Sequence, residues 1–199
     1  MGKTPQEALA SSENDDHGTP TGYVEIARYV LGRINCDCAS SSYWNEWVVK
    51  ADTFYDERID FLAKTTHPFG NCLLNAPSCN TEDRKISVRP FWEKLASYYL
   101  HGEVDAAVYV VFSLNQLTML QSSPVHPLQF AAMFPRERGH FLQRGPHNGP
   151  PIPGTQPTHG NALVLLPTRR SPDAARAMMA RFVEMSHNLE HGGAIVRPF

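Results

Sequence analysis

The chain has 199 residues, of which 42% are hydrophobic, and a formal net charge of −2. That length and apolar content suit one globular domain with a sizeable core. The charge argues against a protein that grips nucleic acid by bulk electrostatics, though a local basic face stays compatible with DNA, and no run of about 18 apolar residues exists to span a membrane.

Residues 1–18, MGKTPQEALASSENDDHG, are polar and nearly free of large apolar groups. They predict a flexible arm ahead of a domain over 19–199. The arm lacks the basic-then-apolar run of a secretory signal, so a cytosolic location is expected. TGYVEIARYVL places Tyr23, Ile26, Ala27, Val30 and Leu31 at helical intervals. Thr19 or Thr21 would cap that helix and Gly32 end it. RINCDCAS reads as a short strand stopping at an acid followed by small residues. WNEWVVKADTFYD predicts a helix leading into a strand or loop near Asp52 to Tyr55, and residues 56–70 an exposed connection. NCLLN is the next strand and APSCNTEDRK a loop.

VRPFWEKLASYYLH is the clearest amphipathic helix, with Phe91, Leu95, Tyr98 and Tyr99 as its inner stripe and Gly102 at its end. DAAVYVVFSL is nearly all apolar, as a strand covered on both faces should be. NQLTMLQSS predicts a short helix, LQFAAMF a strand, and PRERGHFLQ an extended partner to it. Residues 145–161 are dense in proline and glycine and read as a loop lying on the body or over a cleft. NALVLLP is a strand. SPDAARAMMARFVEMSHNL is a helix capped by Ser171, with Pro172 first in it, and GGAIVRPF is a last strand. This alternation predicts an α/β sandwich with a mostly parallel sheet.

In such sheets the chemistry sits at the carboxyl ends of the strands. Two ends stand out, Asp37-Cys38-Ala39-Ser40 and Asn75-Ala76-Pro77-Ser78. Asp37 either caps a helix beginning near Ser40 to Tyr43 or holds a ligand's ammonium or ribose hydroxyls. Asn75 and Pro77 either make a strand-ending turn or present an amide oxygen and a fixed carbonyl to an exocyclic amine. Local basic candidates are Arg136, Arg138, Arg144, Arg169 and Arg170. The cysteines Cys36, Cys38, Cys72 and Cys79 lack zinc-finger or zinc-ribbon spacing, and Cys36 and Cys72 read as small hydrophobes in strands. Cys38 and Cys79 flank the presumed site. The histidines show no metal spacing, so no metal is expected. Trp44, Trp47 and Trp92 read as core.

TPTGYVEIARYV, INCDCASS, VVKADTFYD, NCLLNAPS and DAAVYVVFSL, in that order, resemble the phage-type DNA N6-adenine methyltransferase family. PRERGHFLQ and GGAIV are similar to its downstream Arg-x-Arg segment and closing strand. The resemblance runs from about Thr19 to Val196. It implies a Rossmann-like methyltransferase sandwich that transfers a methyl group from S-adenosylmethionine to the amine of an adenine flipped out of double-stranded DNA, in a host cytoplasm if phage-encoded. It further implies cofactor contacts from Thr19, Pro20, Asp37, Ala39, Ser40 and Asp52. Asn75, Pro77 and Ser78 would form the catalytic loop, and Arg136 and Arg138 would face the DNA. Three positions depart from the family. Ala76 replaces the first proline of the loop, Ser78 replaces its aromatic, and Cys38 replaces a proline of the cofactor loop. Base–aromatic stacking is worth roughly 1–3 kcal/mol, about 5- to 150-fold in binding. The alternative these departures raise is an inactive methyltransferase fold, repurposed in a phage as a binding or structural component with a protein partner.

Overall fold

The structure, a computed structural model, describes residues 17–80, 85–154, 159–188 and 192–198. Of the predicted arm, residues 1–16 lie outside the described residues. Gly18 is buried and pairs with Leu142.

Helix α1 (Thr21–Leu31) buries the expected stripe. Neither threonine caps it: Pro20 sets the entry, and Gly32 ends the helix at φ 79°. Strand β1 is only Cys36–Asp37. Ser41 caps the short helix α2 (Ser42–Trp44) by accepting the Trp44 N–H at 3.3 Å. The backbone then widens into a π turn over Asn45–Val49 instead of a regular helix. The Asn45 side chain explains this, since Oδ1 takes the Ala51 N–H at 2.8 Å and Nδ2 reaches the Ala51 carbonyl at 3.2 Å. Strands β2 (Thr53–Phe54) and β3 (Gly70–Leu74) follow, then a small hairpin of β4 (Cys79–Asn80) and β5 (Lys85–Ile86). Helix α3 (Val88–His101) is capped by Ser87 and closed by Gly102. Strand β6 (Val104–Val111), helix α4 (Asn115–Met119) and strand β7 (Ala131–Pro135) lead to two short strands, β8 (Leu142–Gln143) and β9 (Ile152–Pro153). Strand β10 (Ala162–Leu166), helix α5 (Pro172–Ser186, capped by Ser171) and strand β11 (Gly193–Val196) complete the chain.

Seven strands form one sheet in the order β2-β1-β3-β6-β10-β7-β11. The pairs β2-β1, β1-β3 and β3-β6 are parallel, and the three remaining pairs are antiparallel. The expected parallel sheet is therefore one half of the observed one. The chain from β7 returns to β10 through a loop rather than a helical crossover, and a loop return produces antiparallel neighbours. PRERGHFLQ does not pair with β7. That strand already has β10 and β11 on its two sides, so Leu142–Gln143 pairs with β9 and Gly18 instead.

Alternation along the strands divides the core in two. Leu73, Ala106, Val108 and Val110 face α1, α2 and α5, whereas Cys72, Leu74, Ala107, Tyr109 and Val111 face α3. Trp44 and Trp92 are core, as expected, but Trp47 is 40% exposed. Trp92 is fully buried, lies 5.1 Å from the Tyr109 ring, and donates its indole N–H to the Val125 carbonyl at 2.7 Å. Replacing it removes the largest side chain of the α3 layer and the anchor of the 125 loop together. Trp92→Ala should lose about 3–5 kcal/mol of unfolding free energy, read from urea denaturation. A loss under about 1 kcal/mol would mean this layer is not packed as described.

Candidate functional site

From β1 the chain crosses to β2 on one side, and it later returns to β3 on the other. That makes β1/β3 the topological switch point, where open α/β sheets form a crevice at their carboxyl ends. Asp37 pairs with Leu73, so Asn75 stands two residues beyond on the next strand, roughly 8 Å away by strand spacing and rise. Cys36 and Cys38 face α3, which turns Asp37 to the α1 side, and Asn75 has the parity of Leu73 on that same side. Asn75 donates its amide N–H to the Thr19 hydroxyl at 3.0 Å. The bond occupies the donor end of the amide and leaves its oxygen as an acceptor. Thr19 and Asn75 are thus in contact at the switch point, and Asp37 lies on the same face of the sheet on the neighbouring strand, with Pro20 buried next to Thr19.

Asp37 does not cap a helix, because Ser41 does. It is 3% exposed and is the only carboxylate among the buried described residues. Burial raises its pKa to about 7, against the opposing pull of the Ser40 hydroxyl and the Ala39 N–H at 3.4 Å. No cation pairs with it among the described residues. The half-buried Ala39 and Ser40 form the turn over it, fixed by the Ser40 N–H to the Tyr55 carbonyl at 2.8 Å.

Asp52 does not join this group. It precedes β2, level with Asn35, at the amino end of the strands, where it pairs with Arg33 and accepts from Asn35 Nδ2 at 2.8 Å. The carboxylate at the carboxyl tip of β2 is Asp56, which accepts the Arg58 and Ile59 N–H groups. In the second loop, Ala76 is buried in the α3 layer while Pro77 and Ser78 are half-buried. Cys38 is fully buried and burial pushes its thiol up, so it is no exposed nucleophile. The Cys79 side chain lies outside the described residues.

The basic residues separate into three places. Arg136 follows β7, three strands and roughly 14 Å from β3. It lines a hollow of about 630 Å³ with Ser186, His187 and Ile195. Arg138 is exposed and precedes Gly139, which lies so close to Pro20 and Tyr23 that a Cβ would come within 2.9 and 2.8 Å of them. Arg169 and Arg170 are at the opposite edge, where Arg169 binds the Leu100 carbonyl at 2.7 Å and Arg170 pairs with Asp105.

Two tyrosines, Tyr23 of the predicted α1 stripe and Tyr43 of α2, hold the glycine-rich segment through their hydroxyls. Tyr23 takes the Gly139 N–H at 2.9 Å and donates to Asn161, whose Nδ2 reaches the Phe112 carbonyl at 2.7 Å. Tyr43 takes the Gly145 N–H at 2.9 Å and donates to the Gly149 carbonyl at 2.7 Å, with the Arg144 guanidinium 4.7 Å over its ring. Compared with known proteins, the chain matches no protein-family model and no curated protein.

Asp37 makes stability depend on pH. Its carboxyl stays protonated in the folded chain between its ordinary value of 3.8 and about 7, where the unfolded chain has lost that proton. Stability is fullest below the ordinary value and falls as pH rises toward 7, by about 4 kcal/mol at most. Asp37→Asn should therefore be more stable than the native chain at pH 8, with the gap closing by pH 4, in denaturant midpoints taken across that range. A gap independent of pH would show that Asp37 does not titrate as described.

Proposed function

We propose that this chain is a methyltransferase-fold protein of the DNA N6-adenine type. The crevice would take S-adenosylmethionine, which supplies an electrophilic methyl group when bound, and an adenine flipped from double-stranded DNA. The observation that carries the reading is the Thr19–Asn75 contact at the switch point, with Asp37 on the same face of the neighbouring strand. The three residues belong to three of the segments on which the family resemblance rests, and they come from distant parts of the chain. The finer fold assignment, a Rossmann-like methyltransferase sandwich, belongs to the same reading and is supported by the parallel half-sheet with its helices on both faces.

The residues fit the cofactor's chemistry. A buried carboxylate without a cation is costly, and the ammonium of an amino-acid moiety would relieve it. Asn75 has its donor tied to Thr19 and offers its oxygen to an amine hydrogen. The Ala76 carbonyl, preceding Pro77, supplies the second acceptor; proline restricts the residue before it to extended conformations. Two acceptors on the amine hydrogens aim the nitrogen lone pair away from the loop, toward the methyl donor. Arg138, next to Gly139, would contact phosphate, and Arg136 would reach DNA only along a longer footprint. Asp56 takes the place of Asp52 as the acid at the β2 tip.

A second reading has one observation behind it. Ser78 offers no aromatic face to a flipped base, so an inactive fold serving as a binding or structural component with a protein partner is the alternative. Incubation with labelled S-adenosylmethionine and mixed-sequence DNA separates the two, methyladenine being the product of the enzyme alone. Asn75→Ala should abolish transfer while cofactor affinity by calorimetry changes less than about twofold. Ser78→Tyr should raise transfer, by up to the 5- to 150-fold that about 1–3 kcal/mol of stacking supplies. No methyladenine from either the native chain or Ser78→Tyr sinks the enzyme reading in favour of the binding one.

A further inference from the structure

Three thiols with no part in the chemistry above lie together beneath the cofactor loop. Cys36 and Cys38 flank Asp37 and share the face turned to α3, and Cys72 is the partner of Cys36 across the parallel ladder. All three sulfurs lie within 4.8 Å of one another, and Cys36 Sγ is 4.0 Å from Cys38 Sγ. None of the three is exposed and none forms a disulfide. An ion held at about 2.3 Å by three sulfurs in a plane separates them by about 4.0 Å. The Cys36–Cys38 separation equals that of a trigonal donor set, and no sulfur pair exceeds it by more than about 0.8 Å. The ladder register brings the three residues onto one face, and their sulfurs converge there.

We propose that Cys36, Cys38 and Cys72 form a three-coordinate thiolate site for a monovalent thiophilic metal ion, copper(I). Soft sulfur donors suit copper(I) and zinc alike, and coordination number decides between them. Structural zinc takes four ligands, whereas among the described residues no fourth histidine, cysteine or carboxylate joins the cluster. Each thiol that ligates gives up its proton. On the same α3 side of the sheet the Lys94 ammonium is held by the Ala63 carbonyl at 2.6 Å and Thr66 Oγ1 at 2.9 Å, 5.3 Å from the Phe61 ring. Asp105, the acid on the Cys72 side, is paired with Arg170.

The ion would tie β1 to β3, the two strands whose tips carry Asp37 and Asn75. It would also anchor the loop at Cys38, where the resembled family has a proline. Since the sulfurs are fully enclosed, loading accompanies closure of the sheet. The metal site does not depend on methyl transfer, and its test reads metal alone.

The full-length reduced chain is refolded anaerobically with copper(I) and then challenged with a chromophoric copper(I) chelator. The expected result is one copper retained per chain, a sulfur-to-copper absorption band, and a raised melting temperature. Cys36→Ala and Cys72→Ala should surrender the copper. Cys72→Val, which refills the space without a donor, should fold by circular dichroism and also surrender it. Cys79→Ala should retain it. Complete loss of copper from the native chain, retention by Cys72→Val, loss by Cys79→Ala, or preferential retention of zinc would each overturn the proposal.

Discussion

The parallel pairing of β1 with β3, Cys36 opposite Cys72 and Asp37 opposite Leu73, is the constraint on which the molecule is arranged. The ladder is two residues long, yet hydrogen bonds beyond it extend the contact. The Asn35 N–H reaches the Asn71 carbonyl and the Cys38 N–H reaches the Leu73 carbonyl, both at 2.8 Å. Because side chains alternate, a slip of one residue would exchange the faces. Asp37 would then enter the layer under α3, and the thiols would line the crevice. The register thus sets the charge at the crevice and the sulfur cluster behind it in a single step.

That register also keeps a carboxylate where burial disfavours its charge. The surrounding core tolerates the cost because both sides of the sheet are covered, by α1, α2 and α5 on one face and α3 on the other. Ser40 and the Ala39 N–H offset only part of the desolvation. Local choices that oppose stability gather at functional sites. Asp37 is such a choice, and the cap role that would have made it ordinary belongs to Ser41.

Much of this was legible in the residues themselves, and what was not has a common cause. Helices α1, α3 and α5 and strand β6 follow from apolar spacing and end signals, which are local. Thr19, Asp37 and Asn75 were singled out by type and by their position at strand ends. Strand pairing and register, in contrast, are long-range. Leu142–Gln143 looked like a partner for β7 because it is the next extended segment, but β7 was already paired on both sides. Asp52 enters the cofactor set by resemblance alone, and the strand begins one residue after it, which leaves it at the amino end. Arg169 and Arg170 follow a strand that runs the other way, which carries them to the opposite edge. The sulfur cluster joins residues from two strands, so no short spacing rule detects it. Tyr23 looks like any stripe residue, and Tyr43 carries no signal at all, until their hydroxyls are seen to hold the 139–149 segment.

The structure also changes what the departures at the second loop mean. Losing a proline at Ala76 removes a covalent restraint, yet Ala76 is 2% exposed, packed in the α3 layer, and followed by Pro77. The following proline restricts Ala76 itself, and packing limits the φ that the missing ring would have fixed. Asn75 is held from the other side through Thr19. The loop therefore keeps its shape by burial and hydrogen bonding, and the loss of rigidity is not the deficit. What burial does not replace is the aromatic face at Ser78. Phe112, which follows β6 and packs against the α3-side core, and Phe141, in the segment that Tyr23 and Tyr43 hold, set their rings 6.1 Å apart. On the proposed reading a flipped base would have to stack outside the 75–78 loop, and Phe141 would bring the tyrosine-held segment into that role.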